Sequence, residues 1–325
     1  MPVNSELQAM LDGMNSGPPL DQVPLELLRQ RGSPIPADPG ASMAKVVDLT
    51  LATPDGNLPV RIYHPRAMER LPVLVYFHGG GFVLGSIDSH DSVARNLARS
   101  ADCLVVSVGY RLAPEHRFPA AVDDCTAAVR WVHSHANDIG ADAARIALGG
   151  DSAGGNLAAV VALRLRDEGG PMIAGQLLVY PVTQLRAPVR GSMAANGEGY
   201  FLRSRDVAWF DDMYLGDSEA HAHPYASPLQ AASLGGLAPA LVITAEFDPL
   251  RDQGEDYAQR LQQAGVAVTL SRYDGAFHAF LGMPADIGRR AVTEAGQWLR
   301  ACFAASCSTN AGLNSTIGAQ HVRGS

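Results

Sequence analysis

Hydrophobic and polar positions follow two different periods along this chain. Short apolar or β-branched runs occur at 46–51, 59–63, 71–77, 103–108, 145–148, 173–180, 240–245 and 267–273. Helical patterns fit between most of the later runs, around 90–100, 119–136, 153–167, 253–264 and 285–302. The runs predict strands and the intervening stretches helices. Leu74-Val75-Tyr76-Phe77 and Leu241-Val242-Ile243 are apolar on both faces, as a central strand covered by helices on each side reads. The first two runs are joined by Pro54-Asp55-Gly56-Asn57, a turn signal that predicts an antiparallel start. The sum is an α/β architecture, an open and mostly parallel sheet of about eight strands with helices on both faces.

The alternation fails in three places. At the start, Leu7, Met10, Leu11 and Met14 fall at helical spacing, and Pro24 opens a short second helical pattern through Leu27 and Leu28. Pro34, Pro36, Pro39 and Gly40 then form a breaker-rich link, so residues 1–40 read as a helical appendage to a main domain at 41–302. Between 181 and 239, Val207, Phe210, Met213 and Tyr214 make an amphipathic helix behind a Ser204 cap, flanked by loop-like sequence. An insertion at about 185–225, with the N-terminal helices, is placed to cover the C-terminal edge of the sheet. The tail, 303–325, is small and polar; it is expected to be disordered and takes no part in the fold argument.

Composition narrows the function classes. The chain has 325 residues, 47% hydrophobic and 18% charged, enough apolar material for a large core. Its 25 Lys and Arg against 33 Asp and Glu give a formal charge of −8, which disfavours phosphate backbones and anionic lipid as partners. Met1 to Met14 has neither the basic start nor the apolar middle of a signal peptide, and no run is long enough for a bilayer span. Cys103, Cys125, Cys302 and Cys307 form no Cys-x-x-Cys pair, so free thiols in a reducing cytoplasm are expected.

Chemistry enters at Gly150-Asp151-Ser152-Ala153-Gly154, which lies between a strand and a helix. Gly-x-Ser-x-Gly there is the pattern of a nucleophile elbow. The glycines leave room for a sharp turn that lifts the serine hydroxyl above the sheet, with the Ala153 N–H aimed at a substrate carbonyl. The bland reading is a glycine-rich turn with an incidental serine. A second signal, His78-Gly79-Gly80-Gly81, follows directly on the strand 71–77 and exposes backbone N–H groups of the kind an oxyanion needs. His78, at the strand end, is expected to prop that loop by hydrogen bonding.

A serine nucleophile needs a base, and the base an orienting carboxylate, in the chain order Ser, Asp or Glu, His. The strand 240–245 runs into Glu246-Phe247-Asp248-Pro249-Leu250, and 267–273 into Asp274-Gly275-Ala276-Phe277-His278. Asp248 is favoured because Pro249 fixes the loop past the strand tip. Glu246, Asp252 and Asp274 compete, Asp252 reading as the start of the next helix and Asp274 as a turn residue. His116, His133 and His135 have no matching strand end and read as solvent or packing residues. His221 and His223 are spaced like metal ligands, but no third ligand group or His-Glu-x-x-His pattern supports a metal. Nothing indicates a nucleotide cofactor.

Several segments together resemble the bacterial hormone-sensitive-lipase-like esterases, the family IV carboxylesterases of the α/β-hydrolase fold. They are His78-Gly79-Gly80-Gly81-Phe82, Tyr110-Arg111-Leu112-Ala113-Pro114-Glu115, Gly149 to Asn156, Asp248-Pro249-Leu250-Arg251-Asp252 and the His278 loop. The likeness covers roughly 40–302, and the N-terminal helices look like that family's cap. It implies Ser152, Asp248 and His278 as a triad, with Gly80, Gly81 and Ala153 as oxyanion donors. The implied function is hydrolysis of short- to medium-chain acyl esters through an acyl-enzyme, with no cofactor and no metal. Residues 110–115 would brace the oxyanion loop, and a homodimer is a family-level expectation. Ala279 departs from the family, many of whose members carry glycine after the histidine, and its methyl is expected to narrow the active-site floor. Amide hydrolysis or other acyl transfer shares these steps and stays open. Relatives that only bind ligand typically lack the base histidine, which this chain keeps.

Overall fold

The computed structural model describes residues 2–31, 39–67 and 70–318, with the side chains of residue 31 and of those after 306 left aside. Pro34, Pro36 and the end of the tail lie outside the described residues.

The eight apolar runs all become strands of one sheet: β1 (Lys45–Thr53), β2 (Gly56–His64), β3 (Leu71–Phe77), β4 (Leu104–Val108), β5 (Ala141–Asp151), β6 (Gly175–Val179), β7 (Ala240–Phe247) and β8 (Val268–Phe277). Their order is β1-β2-β4-β3-β5-β6-β7-β8. β1 and β2 pair antiparallel around the two-residue loop Pro54-Asp55, β2 meets β4 antiparallel, and every pair from β4 to β8 is parallel. The chain steps from β3 outward to β4 and then returns past it to β5. The strand order therefore reverses beside β3 and β5, and in open α/β sheets ligands bind outside the carboxyl ends of the strands at such a point.

Period-two alternation divides each central strand between two cores. Val73, Val75 and Phe77 face one cluster while Leu74 and Tyr76 face the other; Leu178 and Val242 oppose Leu177, Val179, Leu241 and Ile243 in the same way. On the first side lie α4 (Ala120–Ser134), α5 (Ala153–Asp167) and α8 (Arg251–Gln263), represented by Val129, Leu157 and Leu261. On the second lie α3 (Asp91–Ala101) and α9 (Asp286–Gly318), with Leu97, Ala291 and Leu299. α9 continues past the point where the sequence drew its tail, and Phe303 is buried near it.

Two further pieces stand over the carboxyl ends of the strands. α1 (Ser5–Asn15) is capped by Asn4, and α2 (Leu25–Arg31) follows the short turn at 20–22. Residues 181–239 hold α6 (Ser192–Ala195), α7 (Ser204–Leu215) and single helical turns. The two pieces meet: Asn15 Nδ2 donates to the Gly199 carbonyl at 2.8 Å, the Phe201 N–H donates back to Asn15 Oδ1, and Arg205 pairs with Asp21 at 2.6 Å. Arg29 reaches from α2 to the carbonyls of Val83 and Ala113 and pairs with Glu115. That pairing holds the Glu115 carboxyl down at about 2.

Candidate active site

The end of β5 turns so sharply into α5 that Ser152 sits at φ 56°, ψ −118°. A non-glycine residue there stores about 1–3 kcal/mol, which surrounding contacts must offset. The flanking glycines are demanded by sterics. A Cβ on Gly150 would lie 2.3 Å from the Gly154 carbonyl oxygen, and one on Gly154 would lie 1.9 Å from that of Phe77. α5 therefore starts almost against the end of β3. Asn156, fully buried in its first turn, donates through Nδ2 to the carbonyls of Val182 and Ala226, each at 2.9 Å.

Three side chains from three strand ends form one hydrogen-bonded line. His278 Nε2 lies 2.8 Å from Ser152 Oγ, and His278 Nδ1 lies 2.7 Å from Asp248 Oδ2. The carboxylate accepts, so Nδ1 carries the proton and Nε2 presents its lone pair to the serine hydroxyl. Asp248 is 0% exposed and His278 4%. The Leu250 N–H donates to the other Asp248 oxygen at 2.8 Å, and Asn196 Nδ2 donates to the carbonyls of Glu246 and Asp248. The Tyr180 ring packs beside the imidazole, with centroids 4.7 Å apart.

The competing carboxylates have other partners. Glu246 accepts from the Gly275 N–H at 2.7 Å, Asp252 accepts from the Ser192 N–H at 2.7 Å, and Asp274 is exposed. Asp274 and Gly275 belong to β8 itself, which runs to Phe277. Between the pairs Ala245↔Tyr273 and Phe247↔Phe277, β8 advances four residues to two on β7, a bulge that delivers His278 to the strand tip.

The loop after β3 is braced from two sides. His78 Nδ1 lies 2.8 Å from the Gly79 carbonyl, which can only accept, so this nitrogen carries hydrogen. In a trans peptide the Gly80 N–H then points away from His78. Burial, aided by the nearby His90, lowers the His78 pKa to about 4, so the ring is neutral near pH 7. Tyr110 stacks on His78 with centroids 4.3 Å apart and donates to the His78 carbonyl, and the Ala113 N–H donates to the Phe82 carbonyl. These are the bracing contacts expected of residues 110–115. Phe210 of α7 lies directly on Gly81, where a Cβ would come 2.2 Å from the ring, and Tyr214 stacks on Phe82 at 3.9 Å. The sequence places Phe210 on the apolar face of a helix, but its seat on Gly81 carries no sequence signal.

Among the described residues no group of three or more His, Cys, Asp or Glu is arranged to hold a metal. His221 lies near Glu219, and His223 accepts from the Tyr225 N–H. A cavity of about 460 Å³ has Thr50, Arg61, His78, Gly85, Ser86 and Tyr110 among its lining residues. It includes none of Ser152, Asp248 or His278, so the line of three lies elsewhere. No helix among the described residues is long and apolar enough to cross a membrane.

Residues 74–282 match the Abhydrolase_3 family, described as having an α/β-hydrolase fold. The chain is 50% identical over 244 residues to the carboxylic ester hydrolase LipN of Mycobacterium tuberculosis, a match covering 73% of this chain and 65% of LipN. It is 43% identical to the ethyl acetate hydrolase of Pseudomonas putida, over 78% of this chain and 82% of that one. Among solved structures, a hyperthermophilic esterase of the archaeon Pyrobaculum calidifontis superposes with a TM-score of 0.86 at 39% identity, covering 93% of this chain and 99% of that chain. The chain belongs to the α/β-hydrolase family. Within it, these relatives make it a carboxylic ester hydrolase, in agreement with the resemblance carried by its motifs.

Proposed function

We propose that this carboxylesterase works through an acyl-enzyme on Ser152 and acts on short- to medium-chain acyl esters. The observation that carries the reading is the unbroken line from Ser152 Oγ to His278 to Asp248, at 2.8 and 2.7 Å, with Ser152 at the reversal point of the sheet. His278 Nε2 takes the hydroxyl proton as Ser152 Oγ attacks the ester carbonyl. The N–H groups of Gly80, Gly81 and Ala153 receive the oxyanion, the Ala153 N–H at the N-terminus of α5 adding the helix-end potential. Asp248 keeps the imidazole in one tautomer and stabilises its cation. The imidazolium then protonates the departing alcohol, and water, activated by the same nitrogen, releases the acid and restores the serine.

Residues 1–40 and about 185–225 act as the cap in this reading. A site roofed by α1, α2 and α7 favours small esters that diffuse in singly over packed triglyceride. The ethyl acetate named for the P. putida relative is a substrate of that size.

Hydrolysis of p-nitrophenyl esters from acetate to palmitate, by wild type and Ser152→Ala, tests the proposal. Turnover is expected to peak at the short end and to fall by about 10⁴-fold or more in the variant, whose fold stays intact. A folded Ser152→Ala variant with near-normal rates would remove Ser152 from the mechanism. A parallel panel of anilides measures how far amides share the site.

A further inference from the structure

We propose that Asp151, the residue before the nucleophile, is a positioning residue that holds the two halves of the oxyanion hole in register. The proposal rests on the reading of Gly80, Gly81 and Ala153 as the oxyanion donors. Two of those donors belong to the loop after β3 and the third to the elbow after β5. The β3–β5 ladder ends at the pair Phe77↔Gly150, short of all three. Beyond that pair the two segments need another tie.

The Asp151 side chain supplies it. Its Oδ1 accepts from the Gly79 N–H at 3.0 Å and from the Tyr76 hydroxyl at 2.6 Å. Its Oδ2 lies 3.4 Å from His90 Nε2, whose ring is set by Ser89 Oγ at Nδ1. A carboxylate accepting from a backbone N–H makes one of the stronger protein hydrogen bonds, and this one joins the elbow to the first peptide of the oxyanion loop. Asp151 is 6% exposed, so losing these donors would leave a buried charge unpaired. Burial alone would raise its carboxyl, yet His90, the Tyr76 hydroxyl and His78 bring it below its ordinary value.

Gly79 gives an independent sign of the same contact. Unlike Gly80 and Gly81, it does not adopt a positive φ, so backbone freedom does not explain a glycine there. A Cβ at this position would lie 2.4 Å from Asp151 Oδ2. The side chain is missing where the carboxylate of Asp151 must pass.

Steady-state kinetics on p-nitrophenyl acetate, with Tm and near-ultraviolet circular dichroism as folding controls, test the proposal on Asp151→Ala, Asp151→Asn and Tyr76→Phe. Asp151→Ala is expected to lose about 10²–10³ in kcat, the scale of a misplaced oxyanion donor, with KM within a few-fold. Asp151→Asn keeps an acceptor oxygen and should stay within about tenfold of wild type, since the acceptor and not the charge positions the loop. A folded Asp151→Ala variant with wild-type kcat overturns the proposal, as does an Asn variant as impaired as Ala. If Asp151→Ala does not fold, Tyr76→Phe decides. Stripping one donor from Oδ1 should cost about tenfold in kcat at constant KM, and an unchanged kcat overturns the idea. Retained activity in Ser152→Ala would instead refute the nucleophile assignment, a separate failure.

Discussion

At the scale of single residues, much of this protein is decided by where a Cβ fits. Gly154 is the clearest case, because the atom its Cβ would strike, the Phe77 carbonyl oxygen at 1.9 Å, is backbone and cannot rotate aside. Gly154→Ala should therefore cost about 3 kcal/mol or more in a urea titration, and a variant as stable as wild type would show that the elbow has slack. Ala279 poses the opposite problem. It sits at φ 70°, ψ 12°, a left-handed conformation that costs a residue with a Cβ about 1–2 kcal/mol and that glycine would adopt without that cost. The glycine-rich motifs and the Ser–Asp–His order were legible from sequence because each sits beside a strand end. The link from Asp151 to Gly79 was not, since it joins residues 72 positions apart.

At the scale of elements, α7 and the loop after β3 pack as one unit. Phe210 and Tyr214, one helical turn apart, rest on Gly81 and Phe82, so movement of α7 would be transmitted to the Gly81 peptide. Phe210→Ala should lower kcat for p-nitrophenyl acetate by about tenfold, because a displacement of 1 Å at a catalytic group is enough for such losses. An acetate this small does not fill an extended acyl pocket, so an unchanged rate would leave Phe210 a cap-packing residue. The periodicity of 207–214 marks an amphipathic helix but does not name the surface it covers. That surface comes from a loop more than 120 residues earlier in the chain.

At the scale of the whole molecule, α7 carries a buried cost that varies with pH. Asp211 is enclosed, accepts from the Arg186 N–H at 2.7 Å, and is raised by burial to about 7. Between its unfolded value near 4 and about 7, the folded state holds a proton that the unfolded chain has released. Stability from this group is therefore highest below pH 4, declines as pH rises to about 7, and is flat beyond. Asp211→Asn keeps the acceptor and removes the titration. Its Tm should exceed that of wild type by several degrees at pH 8 and converge with it near pH 4; equal melting curves at pH 8 would place the buried cost elsewhere.

By itself the sequence determined the strands, most of the helices between them, and the positions where serine, carboxylate and histidine reach the sheet's edge. Those features are local: period-two runs buried on both faces, apolar stripes at helical spacing, and glycines that only particular turns require. Tertiary structure decided which strands are neighbours, and so that β3 and β5 lie side by side with the segments that follow them in contact. It also separated Asp248 from Glu246 and Asp252, which the sequence could rank but not assign. Chain proximity makes all three candidates, whereas a hydrogen bond of 2.7 Å to an imidazole 30 residues away selects one. Local pattern follows from each residue's own conformational preferences and burial; partnership depends on how distant segments pack, which one chain's spacing does not record.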